Sequence, residues 1–536
     1  MRSAFEKIPI LLLIAAPSFA AEYRAWWVEA FNTPLGTTEQ LGRVIDAAVA
    51  SNANAIFVQV RRRGDSWYLD SKEPLTAVPG VGEPDATGRW TLDPLRYLVE
   101  QAHARGIEVH AFVIVGSIHN SAIPPADPDH VFNRHFAGRS VDDPDNWATR
   151  ALPHNAAGTM QDGQQFGVEW YVDPGHPDAA AYTVDVLMHL VERYDVDGLH
   201  LDRIRYPESP IDRPAGEPLG MNVGYNATSV DRFRLRVGTA AEYDAEGFPV
   251  SNDPLWNQWR RDQVTALVRR VWLNATAIKP QIKVSAALIT FWAGPGASGG
   301  FEGTEAYWRV FQDWESWTEE GILDLVVPMA YKREHDATGR AQFDDWSRYA
   351  ANLARENGRQ AIVGLGAFIN SVGGTLTQAR RALGEHGADG VIFYALATTN
   401  SDGVPATDFF SALTAGGFED PALQPIFVQP EGVPPMPWKE TPTEGHLMGF
   451  VRFPAGTAAD GARVVAENAA TGETRVTSAD GGGFYGFVGL PPGTWRVTAT
   501  LGTSSFEAPD VTVEAGLVAS ADLASVTPKR RRLVRR

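Results

Sequence analysis

Residues 196–209 read VDGLHLDRIRYPES. Leu199 and Leu201 fall on one side of a two-residue period and His200 and Asp202 on the other, the pattern of a strand with one apolar and one polar face. Asp202 ends that strand, and Arg203, Arg205, Tyr206 and Pro207 crowd behind it. A guanidinium close to a carboxylate favours its charged form, so Asp202 is expected to be ionised at neutral pH.

The same kind of short apolar run recurs along the chain. Strands are predicted over 24–29, 55–60, 107–115, 198–202, 282–289, 323–329, 361–368 and 390–396. Between them lie helical patterns such as LDPLRYLVEQAHARG and PDAAAYTVDVLMHLVERY. Strands alternating with helices in this way predict an α/β fold, a (β/α)8 TIM barrel over residues 22–415. The long segments, 61–92, 116–177, 204–253 and 291–306, all follow strands, whereas returns such as HARGIEVH, YDVDGLH and HGADGVIF are short. Strand-to-helix loops of such a barrel gather on its C-terminal face, so the elaborated face is the one where barrel sites are built.

At 536 residues the chain exceeds one ordinary domain. Residues 416–445 are Pro-rich and aperiodic, an expected extended linker. Within 446–525, HLMGFVRF, ARVVAEN, ETRVTS, FYGFVG and WRVTATL alternate like strands between turn signals, predicting six or seven strands in a small all-β sandwich. At the start, Arg2 and Lys7, an apolar run from Ile8 to Ala16 and then Pro17-Ser18-Phe19-Ala20 predict a signal peptide over 1–20, cleaved after Ala20. A periplasmic or secreted protein follows, and with no Cys its domains must hold together by core burial alone. No later run is long and apolar enough for a transmembrane segment. The net charge of −18 argues against a nucleic-acid partner. The basic tail, 526–536, is expected either to be solvated or to contact an anionic envelope surface.

Strand parity extends the opening observation. On strand two, Ile56, Val58 and Val60 face outward, leaving Gln59 and Arg61 inward; on strand three Val109, Ala111 and Val113 face outward, leaving Glu108, His110 and Phe112 inward. Glu29 shares the face of Trp27 at the end of strand one. A satisfied structural network accounts for any one of these polar groups alone. Asp202, at a strand tip, is the residue that most calls for chemistry.

Seven fragments in order, YRAWWVEAF, NAIFVQVRRRGDSWY, GIEVHAFV, WYVDPGHPDAAAY, VDGLHLDRIRYPE, DWESWTEEGILDLVVPMAYKRE and DGVIFYALA, resemble the glycosyl-hydrolase-like family 10 proteins of bacterial envelopes. NAATGETRVTSADGGGFYGFVGLPPGTWRV resembles a carboxypeptidase regulatory-like domain. The first resemblance implies a glycoside hydrolase acting on an envelope polysaccharide, foremost peptidoglycan glycan strands stripped of peptides, with no cofactor and no metal. Such hydrolysis uses two carboxyl groups flanking the scissile bond. Asp202 is the expected nucleophile or stabilising carboxylate. Glu334, Asp65 and Glu29 are the candidates for the acid/base, and Glu169 and Asp173 also come within reach of the cleft. Gln59, Arg61, His110, His200, Arg205, Tyr206 and Tyr331 are expected to position sugar, with Trp67, Trp170 and Trp292 as stacking platforms. The chain departs from the family pattern at Arg203, where many relatives carry a second acid or an aromatic residue. It departs again in the endings FVIVGSIHN and SAALITFWAG of strands three and five. Two other functions compete: a non-catalytic glycan-binding or scaffold protein on the same barrel, and a metal-dependent deacetylase using His110, His200 and Asp202. The second lacks the clustered histidines of hydrolytic metal sites.

Overall fold

A computed structural model of the chain describes residues 21–121, 123–152, 169–208, 221–416 and 424–525. The segments read as signal peptide and basic tail lie outside the described residues. Eight parallel strands close a barrel: β1 (Tyr23–Val28), β2 (Ala55–Arg61), β3 (Glu108–Ile114), β4 (Gly198–Asp202), β5 (Lys283–Leu288), β6 (Leu325–Pro328), β7 (Gln360–Gly366) and β8 (Gly390–Tyr394). Each strand pairs with its sequence neighbour in register, and β1 pairs with β8 to complete the ring. Every predicted strand is present, with ends displaced by two residues at most.

Parity sorts the side chains as expected. Ile56, Val58, Val109, Ala111, Leu199 and Leu201 pack outward against the helices, while Trp27, Phe57, Phe112, Leu325, Ile362 and Ile392 fill the lumen. Helix starts are fixed by side chains that take up orphan N–H groups: Thr37 and Gln40 form a capping box before Thr38–Ala50, and Asp93 and Asp253 cap Pro94–His103 and Pro254–Ile278. Among the described residues no helix is long and apolar enough to cross a membrane.

The described part of the Pro-rich connection, from residue 424 onward, carries one short helix, Pro437–Glu440, and is no free spacer. Met436 inserts into the lumen from below, and Trp438 Nε1 and Lys439 Nζ reach Asp324, at 2.8 and 3.3 Å. Gln360 Nε2 and Gln281 Nε2 donate to the carbonyls of Pro435 and Lys439. The segment floors the barrel because it supplies an apolar plug together with the carbonyls that satisfy polar groups at the strand starts. Beyond it come nine strands within 445–525 where six or seven were expected; the surplus comes from three-residue strands at 511–513, 518–520 and 523–525. This sandwich docks on the flank of the barrel. Arg232 makes a bidentate pair with Asp460 at 2.7 and 2.9 Å, and the Trp272 and His446 rings meet edge to face at 4.7 Å.

Candidate active site

The barrel interior is arranged in levels that the strand period does not reveal. At the floor, Lys283 Nζ donates to Tyr23 Oη at 2.8 Å and contacts Glu108, whose other oxygen lies 3.1 Å from His110 Nε2. The His110 ring stacks on Phe57 at 4.2 Å, in space left by Gly198, where a Cβ would come within 2.1 Å of His110. One level up, His200 accepts from Trp27 Nε1 at 3.0 Å, so its Nδ1 carries the proton and donates to Ser285 Oγ at 2.8 Å. Burial, followed by the nearby His110, drives the His200 pKa well below the ordinary histidine range, so the ring is neutral. Both histidines are completely buried and their rings are held by core partners, which corrects the expectation that they touch sugar. For the same reason they do not converge with Asp202 as a metal-ligand set.

The mouth holds the next level. Asp202 is partly buried, and its Oδ1 accepts the backbone N–H of Arg203 at 2.7 Å. Arg203 stands at φ 53°, a left-handed conformation that an L-residue keeps only where its surroundings enforce it. Gly116 lets the end of β3 approach that turn, for a Cβ there would lie 2.7 Å from the Arg203 carbonyl oxygen. Burial pushes the Asp202 carboxyl up, and Arg205 only partly opposes it. Desolvation therefore outweighs the guanidinium in the direction of the Asp202 shift.

Two groups of residues converge on Asp202. On one side stand the phenols of Tyr331 and Tyr394, with ring centroids 5.2 Å apart and both edge-on to Trp27. Burial raises Tyr394 to about 12, and the charges of Glu29 and Asp202 add to that rise, so both carboxylates lie within its electrostatic reach. Glu29 Oε2 accepts the N–H groups of Phe31 and Asn32, and Oε1 accepts Asn32 Nδ2 at 3.0 Å. Gln59 Oε1 accepts the Ala30 N–H at 2.8 Å, while its Nε2 is buried with no partner among the described residues. On the other side is Tyr171, raised to about 12 by burial and acted on by Arg205, Asp202, Glu208 and Arg63; its hydroxyl accepts from Arg203 at 2.9 Å. Arg63 and Arg203 both engage Glu169, and Glu208 pairs with Arg309 at 3.0 Å. Tyr171, Tyr394 and Glu208 lie within the family-like fragments but were not singled out as site residues, since only the fold brings them to Asp202.

The remaining candidates are placed elsewhere. Arg61 holds Glu73 through both oxygens at 2.6 and 2.7 Å, with side chains 2% and 0% exposed, so it fastens the loop after β2 and does not face substrate. Glu334 is bidentate to Arg381 at 3.1 and 3.2 Å, away from Asp202. Asp65 accepts the Arg63 N–H of its own loop and lies near His119 and His130. Tyr206 is fully buried, 3.5 Å from Asp173, itself buried and raised to about 6 by desolvation. Trp67 is buried beneath the Arg62 guanidinium at 4.7 Å, and Trp170 packs edge-on to Phe132 at 5.4 Å. Trp292 differs from both: it is 67% exposed in the loop after β5. A cleft of about 970 Å³ lies on the opposite face, lined by Trp272, Arg359, Trp438 and His446. The site is assigned to the barrel mouth because strand C-termini, the built-up loops and the raised Asp202 carboxyl coincide there.

The sequence profile of the family described as "Glycosyl hydrolase-like 10" matches residues 22–367, and that of the "Carboxypeptidase regulatory-like domain" matches 446–525. The chain is 24% identical over 299 residues to "Glycosyl hydrolase YngK" of Bacillus subtilis, covering 54% of this chain and 48% of that protein. It is 22% identical over 322 residues to "Glycosyl hydrolase DigH" of Escherichia coli K12, covering 59% and 62%. The match thus spans about half to three-fifths of the length of these curated relatives. Among solved structures, the PgaB (BpsB) glycoside hydrolase domain of Bordetella bronchiseptica aligns with a TM-score of 0.45 at 14% identity, covering 70% of this chain and 95% of that one.

Proposed function

We propose that this chain, which belongs to the glycosyl hydrolase-like 10 family, is a glycoside hydrolase exported to the cell envelope, where it cleaves peptidoglycan glycan strands stripped of peptides. The observation that carries the reading is Asp202, a carboxyl raised by burial at the C-terminal tip of β4, in a mouth walled by Trp27, Tyr331 and Tyr394. A raised carboxyl suits a proton donor: it protonates the leaving sugar oxygen as the glycosidic bond breaks, and water supplies the new hydroxyl at the anomeric carbon. Glu29 is the second carboxylate of this reading. Three of its lone-pair sites are taken by donors of its own loop, leaving one to face the cationic transition state. Trp292 offers the exposed face on which a pyranose stacks. The reading of residues 1–20 as a signal peptide supports a periplasmic or secreted location.

The test is release of new reducing ends from denuded glycan strands by the wild type and by Asp202→Asn. Removing a general acid costs about 10²- to 10⁴-fold in kcat. An Asp202→Asn protein that keeps the full rate would take Asp202 out of the mechanism. A second reading, a glycan-binding scaffold, is favoured by one observation: Glu29, Glu169 and Glu334 are all engaged by donors of the protein itself. Strand binding with no reducing ends, at high protein concentration, would establish it.

A further inference from the structure

Three guanidinium groups lie around the Tyr171 hydroxyl, those of Arg63, Arg203 and Arg205, with Arg309 pairing Glu208 nearby, and the carboxylates beside them are unevenly shared. Glu208 is taken by Arg309. Glu169, almost fully buried, is divided between Arg63 and Arg203. Asp65 belongs to the Arg63 side of the loop. Arg205 is left with Asp202, whose charged form burial disfavours. Its own hydrogen bonding is poor: Nη1 reaches only the Tyr206 carbonyl, at 3.5 Å, and Nε is buried with no partner among the described residues. The side chain of Arg203 is 25% exposed and keeps donors beyond those given to Tyr171 and Glu169. Burial, then the like charges of Arg205 and Arg63, depress Arg203 to about 10, so the cluster gains from any added anion.

We propose that Arg203 and Arg205 form a carboxylate-binding subsite beside Asp202, so that the protein selects glycan strands whose sugars carry a free carboxylate close to the bond presented to Asp202. The inference rests on the reading of the barrel mouth as a glycan site and adds the substrate class. The guanidinium fork is planar and matches a carboxylate through paired N–H···O bonds. The charge of Arg205 acts on Asp202, which puts this fork beside the candidate proton donor, and Arg203 follows Asp202 directly in the chain. A neutral sugar leaves the Arg205 donors without acceptors, a cost the site exacts against the wrong substrate.

The experiment compares denuded peptidoglycan strands with the same strands after their carboxylates are converted to methyl amides by carbodiimide coupling. Affinity is measured by calorimetry and cleavage by reducing ends, for the full-length wild type and Arg205→Met. Arg205 makes no ion pair shorter than 4.0 Å among the described residues, so its loss leaves the fold intact, which the thermal midpoint checks. The wild type is expected to bind the charged strands about 10- to 100-fold more tightly than the amidated ones, and Arg205→Met to lose most of that ratio, chiefly through weaker binding of the charged strands. Equal wild-type affinity for the two strands, or an equal loss on both in Arg205→Met, would overturn the subsite. Preference for charged strands with no reducing ends keeps the subsite and sinks the hydrolase; cleavage of both at equal kcat/KM does the reverse.

Discussion

The substitution Glu73→Gln separates a structural arginine from a substrate-binding one. Arg61 ends β2 with its guanidinium against both oxygens of Glu73, at 2.6 and 2.7 Å, and a further N–H on the carbonyl of Ile114. Tyr182 Oη adds a donor to Glu73 at 2.9 Å, and neither charged side chain is more than 2% exposed. Gln keeps the volume and one acceptor but leaves the Arg61 cation buried without a counter-charge, which costs about 3–5 kcal/mol. With an m-value near 3 kcal/mol per molar urea, that moves the unfolding midpoint down by roughly 1–1.7 M. In the double variant Arg61→Met/Glu73→Met both charges leave together, and the residual loss is about 1 kcal/mol for the Tyr182 hydroxyl that loses its acceptor. Urea melts followed by tryptophan fluorescence supply the comparison, since 16 Trp report on the core. A Glu73→Gln midpoint within 0.3 M of wild type, or a raised KM on glycan with unchanged stability, would refute this assignment and return Arg61 to the substrate.

Two further outcomes follow from the floor and the flank. Met436→Ala removes the plug from the lower lumen, where it is 2% exposed, and should cost about 2–5 kcal/mol; the 424–440 segment should then be cut faster in limited proteolysis, and unchanged cleavage would mean the plug contributes nothing. His446, lowered to about 4 by burial and the nearby Lys439, is neutral in the folded state and takes up a proton when it is exposed by unfolding. Its contribution is present above about pH 6.5 and is lost as pH falls from there toward 4, with a slope of about 1.4 kcal/mol per pH unit. Urea midpoints measured from pH 7 to 5 should fall more steeply in wild type than in His446→Gln, and parallel slopes would show that His446 does not carry the effect.

The family relation and the barrel were both legible in the sequence, because they rest on local regularities. A two-residue period decides which side chains enter the lumen whatever the rest of the molecule does, so the inward faces of β2, β3 and β4 were readable from a handful of residues each. Loop length showed which face was elaborated, for the same reason. Depth was not legible: His110, His200 and Asp202 share one parity, yet the first belongs to the floor, the second to the packed middle and only the third to the mouth. His200 and Asp202 differ only by one period along β4, but the level of His110, opposite Gly198, comes from the stagger of β3 against β4, which no single strand encodes.

Partnership was not legible either. Arg61 finds Glu73 twelve residues on, Glu334 finds Arg381 forty-seven residues on, and Arg203 finds Glu169 and Tyr171 from a different loop, so residues alike in type and parity end in different roles. Even the sign of the Asp202 shift needed the fold: the sequence set Arg203 and Arg205 beside the carboxyl, but how much water burial removes is a property of everything packed around it. Sequence alone therefore determined the scaffold and the strand tip that matters. Tertiary structure decided which charges were already spent on one another and which were left to meet a ligand, since charge pairing and desolvation depend on distances through space and not along the chain.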